Sequence, residues 1–246
     1  MVNLLDLLQM NNQYDHKLSS EYNNGKLIDN PHQLKVYETW LYTIGQVSGL
    51  KVLDLACGGG YSSRLLAQNK AHACGVDISK EMLAVAIEQE KLNPLGIKYA
   101  QADASIPQRY DFEPFDKVVA AFLLHYASDL HVLEGFLENI VINLKVGGDF
   151  VAINLSPDHP VIGHQKGVSH SSKWLDEPWR DGSTLEATLW SKNDEKICSF
   201  KEYYWSKRTL EKTFLKFNLV IIDWIQIKDS TQDNNMLVVI KAKKRG

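Results

Sequence analysis

From Lys51 onward the sequence alternates between two periodicities. "KVLDLAC" (51–57) is a near-continuous apolar run, the pattern of a strand buried on both faces, and "YSSRLLAQ" (61–68) sets Leu65 and Leu66 inward at helical spacing. The pair then recurs: "HACGVDIS" reads as a strand and "KEMLAVAIEQEKL" as a helix that stops near Asn93 and Pro94. "IKYAQADA" and "FDKVVAAFLLHYA" predict a third and a fourth strand. "HVLEGFLENIVINLK" predicts a helix stopped by Gly147 and Gly148, and "GGDFVAINL" a fifth strand. Strands and helices in this alternation build a parallel sheet covered by helices on both faces.

Two stretches stand outside the repeat. Residues 1–45 read as a helical cap, in which "LKVYETWLYTI" places Val36, Trp40, Leu41 and Ile44 on one face. Residues 156–205 open as a loop, "SPDHPVIGHQKGVSH", and continue as two β-rich runs around the turn "SKND", an antiparallel hairpin. Residues 206–246 give a helix, "KRTLEKTFLKFN", and two strands, "LVIIDWIQIK" and "NMLVVIKAKK", that would complete the sheet as a hairpin. With 46–155 as the central repeat, the whole chain reads as a single domain in four segments.

The chemistry collects at the strand ends. Gly58, Gly59 and Gly60 close the first strand, where a turn without side chains lets backbone approach a ligand and the next helix offers unpaired N–H groups. In an open parallel sheet this carboxyl edge is where ligands bind. Asp77 ends the second strand, placed to accept both hydroxyls of a ribose, and Asp103 follows the third, within reach of the exocyclic amine of an adenine. A nicotinamide dinucleotide site usually has a third glycine where this chain has Ser63, and it leaves Asp54, inside the first strand, without a task. An amino-acid ammonium group would give Asp54 one. Taken singly, Asp77 also reads as a helix-start acid and Asp103 as a turn former.

Composition removes several alternatives. Twenty-seven basic residues against 30 acidic ones leave a formal charge of -3, which gives no reason to expect nucleic-acid or membrane binding. No apolar run approaches a membrane span, and the first residues lack the basic flank of a secretory signal, so a cytoplasmic location is expected. Cys57, Cys74 and Cys198 have no CxxC spacing, which argues against a disulfide framework or a zinc site. His159, His164 and His170 lack a carboxylate or cysteine at ligand spacing, and no metal is expected.

A ligand that joins adenine, ribose and an amino acid is S-adenosylmethionine, and the motifs resemble the class I S-adenosylmethionine-dependent methyltransferases. "VLDLACGGGYSSRLLA" resembles their glycine-rich motif, "CGVDISKEMLAVA" the ribose-binding segment, "QADAS" the adenine-side acid and "LKVGGDFVAIN" the approach to strand five. Ala56 departs from the glycine many members carry. "LDLAC", the tyrosines of "QYDHKLSSEY" and "YYWS" are similar to the small-molecule branch that contains the toxoflavin synthase-like N-methyltransferases. The resemblance implies an α/β, Rossmann-like, seven-stranded, mostly parallel sheet, with the helical cap in front and the hairpin insert after strand five. It also implies that Asp54, Ala56, Gly58 and Gly60 surround the methionine portion, with Tyr14 and Tyr22 closing over it. Asp77 would bind the ribose, Ile78 and Met82 flank the adenine, Asp103 and Ala104 lie on its amine side, and Phe122 lies under the sulfonium.

Methyl transfer from a sulfonium needs alignment and exclusion of water more than it needs acid–base chemistry. A hydroxyl or protonated amine as nucleophile must still lose a proton, and His125, just past strand four, is the candidate base, with Tyr126 beside it to orient the acceptor. His125 also reads as a core histidine satisfied by backbone. Trp174, Trp179, Trp190, Tyr203, Tyr204 and Trp205 supply either an aromatic surface for a flat acceptor or the insert's own core. The expected partner is a small-molecule acceptor, with S-adenosylhomocysteine as product and no nucleic acid or membrane, in a monomer or homodimer. A protein or RNA methyltransferase and a non-catalytic binding module stand as alternatives.

Overall fold

A computed structural model describes residues 31–246 apart from 112, 113, 162, 165–169, 191, 192 and 228–235. Helix α1 (Pro31–Ile44) leads into β1 (Lys51–Leu55), α2 (Tyr61–Gln68), β2 (His72–Asp77), α3 (Lys80–Leu92) and β3 (Lys98–Gln101). Then come β4 (Phe115–Ala121), a 3-10 turn (Leu124–Tyr126), α4 (Leu130–Asn143) and the long β5 (Leu144–Leu155). The sheet runs β3-β2-β1-β4-β5-β10-β9, with β9 (Leu219–Gln226) and β10 (Leu237–Lys244) as the closing hairpin. Strands β1 to β5 are mutually parallel and β10 enters antiparallel to β5. This is the Rossmann-like α/β sheet the sequence predicts, and the order turns outward on either side of β1 and β4.

Period-two burial assigns the faces. Val52, Ala73, Val119, Ala121, Val151 and Ile153 pack against Val36, Trp40 and Ile44 of α1 and Leu66 of α2. The alternate residues Leu53, Leu55, Val76, Val118, Ala120, Phe150 and Ala152 pack against Leu133, Phe136, Leu137 and Ile140 of α4 and Leu210 and Phe214 of α5 (Lys207–Lys216). A strand buried on both sides has no polar face, which is why β1 is apolar from Val52 to Leu55 except for Asp54. Helix starts follow their caps: Ser79, Asp129 and Ser206 accept the N–H groups of Met82, Val132 and Thr209. Helix α2 has no side-chain cap, and Gly60 precedes it in the left-handed region.

Two expectations need correction. Helix α4 does not stop at Gly147 and Gly148. It stops at Asn143, because Leu144 turns extended to pair with Phe115, and the glycines lie within β5, in the stretch where its register against β4 shifts. Lys244 donates to the carbonyls of Val141 and Leu144 at that helix end, from 103 and 100 residues away in sequence. The insert, in turn, is a three-stranded antiparallel sheet rather than a hairpin: β6 (His170–Trp174), β7 (Thr184–Trp190) and β8 (Lys196–Tyr203). The segment "HSSKW" carries no strand pattern in the sequence because four of its five residues are polar.

Candidate active site

Four strand ends meet at one edge of the sheet. At the first, Asp54 is fully buried on the face covered by α2. Its Oδ2 accepts hydrogen bonds from Ser62 Oγ (2.7 Å) and Ser63 Oγ (2.6 Å), so the serine that replaces a dinucleotide-type glycine ties the helix start to the strand. Asp54 Oδ1 has no hydrogen-bond partner among the described residues. Burial pushes this carboxyl up to about 7 against the pull of the two serines, and the Asp77 charge adds to the rise. A buried acceptor left unmatched is unusual in a folded protein and marks where a donor would be welcome.

The backbone here is held in sparsely populated conformations. Ala56 (φ 60°), Gly58 (φ 54°) and Gly60 (φ 85°) are all left-handed, and so is Phe122 (φ 70°) at the end of β4. Ala56 and Phe122 carry the steric cost that glycine avoids, on adjacent strands at the ligand edge. At Gly60 a Cβ would lie 2.6 Å from the Tyr99 hydroxyl and 2.9 Å from Ala86 Cβ. Only glycine lets α2 start against both neighbours.

Asp77 is less a free ribose acceptor than a brace. Its Oδ2 accepts Gly58 N–H (2.7 Å) and its Oδ1 accepts Ser79 N–H (2.8 Å), so it fixes the glycine turn and the start of α3 together. Each oxygen keeps a second lone pair for a ligand. Burial raises its carboxyl, opposed by the N–H groups of Ser79, Gly58 and Ile78. Met82 is buried in the first turn of α3, with Gly58 so close that a Cβ there would meet its Cε at 3.0 Å. Ile78 is half-buried beside it and accepts Gln101 Nε2 through its carbonyl.

Beyond β3, Asp103 Oδ1 accepts both the N–H (2.8 Å) and the hydroxyl (2.7 Å) of Ser105. The loop it opens is moored to α4. Asn139 Nδ2 donates to the carbonyls of Ala104 and Ile106 and to Tyr110 Oη, and Asn143 Nδ2 to the carbonyl of Gln108. These two buried asparagines were not singled out from sequence. Their only signal was an asparagine repeating at i, i+4 on the otherwise apolar face of the helix.

Past β4, His125 is 2% exposed and Tyr126 half-buried. The His125 ring lies 6.0 Å from Phe122 and 4.8 Å from Tyr126, centroid to centroid. Its Nδ1 is 3.1 Å from Asn154 Oδ1 at the end of β5, and its Nε2 is 3.6 Å from Glu202 Oε1 of β8. His170 Nε2, at the start of β6, lies 4.0 Å from the same Glu202 oxygen. The side chains of Asn154 and Glu202 thus approach the two ring nitrogens of His125. Asn154 and Glu202 were missed from sequence, since Asn154 is one polar residue in the apolar end of β5 and Glu202 one of several polar residues in β8. Tyr14 and Tyr22 lie outside the described residues. Among the described residues no group of histidine, cysteine and carboxylate side chains is arranged to hold a metal.

A family model described as a methyltransferase domain matches residues 52–148, from β1 into β5. Residues 52–148 thus match a methyltransferase domain. A ubiquinone biosynthesis O-methyltransferase of Coxiella burnetii is 32% identical over 119 residues, 48% of this chain and 47% of that protein. The match thus spans about half the length of the curated relatives. An S-adenosylmethionine-dependent methyltransferase from Clostridium acetobutylicum superposes with a TM-score of 0.65 at 19% identity, covering 94% of this chain and 98% of that one. The CcbJ methyltransferase of Streptomyces caelestis does so with a TM-score of 0.69 at 15% identity, covering 95% and 100%. At such identities the likeness is one of fold.

The methyltransferase domain matched by the family model ends before the insert. Trp174, Trp179 and Tyr204 stack on one another with centroids 5.6 to 5.8 Å apart, and Trp190 stacks on His164 at 3.8 Å. Trp205 joins the main core and donates its Nε1–H to the Ala127 carbonyl. Most of these aromatics build the insert, and Trp205 fastens it to the turn that carries His125.

Proposed function

We propose that the protein transfers a methyl group from S-adenosylmethionine to an oxygen or nitrogen of a small, aromatic or heterocyclic molecule and releases S-adenosylhomocysteine. The observation that carries this reading is the unmatched Asp54 Oδ1, buried beside a left-handed glycine turn on the edge that also holds Asp77, Asp103 and His125. The residues fit the group. Asp54 would receive the ammonium of the methionine portion, Gly58 and Gly60 leave room for its chain, Asp77 would take the ribose and Asp103 with Ala104 the adenine amine.

When bound, S-adenosylmethionine supplies a methyl group already activated by the sulfonium charge. The chain's own work is to align the acceptor, exclude water and remove the acceptor's proton. Phe122 would pack under the sulfonium, Tyr126 orient the acceptor and His125 take the proton. The O-methyltransferase relatives support an oxygen acceptor, and the likeness to toxoflavin synthase-type enzymes a heterocyclic nitrogen. Cys57, Cys74 and Cys198, buried and in no disulfide, suit a reducing, cytoplasmic compartment. The test is incubation with methyl-labelled S-adenosylmethionine and a fractionated metabolite extract. Label should pass to a small molecule, and transfer to protein or RNA instead would contradict the proposal.

A further inference from the structure

The inserted sheet does more than cover the edge. Glu202 is 5% exposed, and β8 carries it to within 3.6 Å of His125 Nε2. The opposite ring nitrogen is fixed by Asn154. Asn154 Nδ2 donates to the Leu155 carbonyl at 3.0 Å, so its Oδ1 is turned to the ring and His125 Nδ1 must be the donor. In the neutral ring the proton therefore sits on Nδ1 and the lone pair on Nε2. Nε2 to Oε1 is longer than a hydrogen bond and within ion-pair range, so the carboxylate interacts most favourably with the ring once Nε2 is protonated. His170 Nε2 stands 4.0 Å from the same oxygen on the insert side, and among the described residues Tyr126 is a further titratable group against the ring.

We propose that Glu202 is a positioning residue for acceptor deprotonation: with Asn154 it sets the His125 ring and stabilises the imidazolium formed when Nε2 takes the acceptor's proton. This rests on the methyltransferase reading and deepens it, because it assigns the acceptor to groups that must lose a proton, a hydroxyl or an N–H. The step balances. An acceptor lone pair forms the bond to the methyl carbon, the carbon–sulfur bond breaks with its electrons going to sulfur, and the acceptor's proton passes to Nε2. It also explains the insert's attachment, since Trp205 and Glu202 grip the same turn from one end of the inserted sheet.

The test is nitrogen NMR of the full chain labelled in its histidine rings, with and without S-adenosylhomocysteine, comparing wild type, Glu202→Gln and Glu202→Asp, with His125→Gln for assignment. The neutral His125 ring should carry its proton on Nδ1, and Glu202→Gln should make the ring take up its second proton at a lower pH than wild type. Glu202→Asp, which keeps the charge, should restore part of that difference. In label transfer to the responsive metabolite fraction, Glu202→Gln should lower turnover by about tenfold or more and leave S-adenosylhomocysteine affinity within about twofold. A proton on Nε2 in the neutral ring, or an unchanged protonation pH in Glu202→Gln, would overturn the proposal. Should Glu202→Gln fail to fold, the wild-type tautomer and the Glu202→Asp titration still decide it. Failure of S-adenosylhomocysteine to bind would sink the methyltransferase reading and leave the ring measurement standing.

Discussion

Asp54 is held in the folded chain against its own ionisation. Its carboxyl rises from the ordinary 3.8 to about 7, so between those values the folded state binds more protons than the unfolded one. The sign follows: stability falls as pH rises from about 4 to about 7 and levels off above. Urea unfolding at pH 5 and pH 7 should show wild type losing about 2 kcal/mol more than Asp54→Asn over that interval. If an ammonium group docks at Oδ1, it lowers the same carboxyl, and ligand binding near pH 7 releases protons. Calorimetry in buffers of different ionisation heat should detect that release in wild type and none in Asp54→Asn. Ala56 is the second residue whose backbone has a local cost. Ala56→Gly should leave stability unchanged or raise it by up to about 1 kcal/mol, whereas Ala56→Val should lower it by about 2 kcal/mol, read as a shift in the urea midpoint. The sequence showed that Ala56 stood where relatives have glycine, and φ 60° supplies the reason.

At the scale of elements, β1 through α3 were legible because their signals are local: an apolar run, a glycine turn, a serine cap. Elements fixed by distant partners were not. Helix α4 ends where Leu144 finds Phe115 in β4, and the polar strand β6 exists because β7 pairs with it. The mooring of the β3–β4 loop is likewise long-range. Asn139 supplies three of its hydrogen bonds, so Asn139→Ala leaves buried carbonyls unmatched and should cost about 2 kcal/mol. Hydrogen exchange should quicken in residues 103–110, and S-adenosylhomocysteine should bind more weakly. Unchanged exchange there would mean that α4 does not hold the loop.

At the scale of the molecule, two sheets share one site. The seven-stranded sheet presents the carboxyl edge, and the three-stranded insert brings Glu202 and His170 to it. The strand-end glycines and acids were legible in the sequence, because such residues mark themselves. The sequence hid the half built by the insert, because a single inward glutamate in a strand has no periodicity of its own. Among the described residues no helix is long and apolar enough to cross a membrane. The central claim is that this edge holds S-adenosylmethionine rather than a dinucleotide, and calorimetric titration of the full chain tests it directly. S-adenosylhomocysteine should bind at one site per chain, more weakly in Asp77→Ala by about 1 to 3 kcal/mol, with no heat from NAD. Saturable binding of NAD with none of S-adenosylhomocysteine would contradict the account.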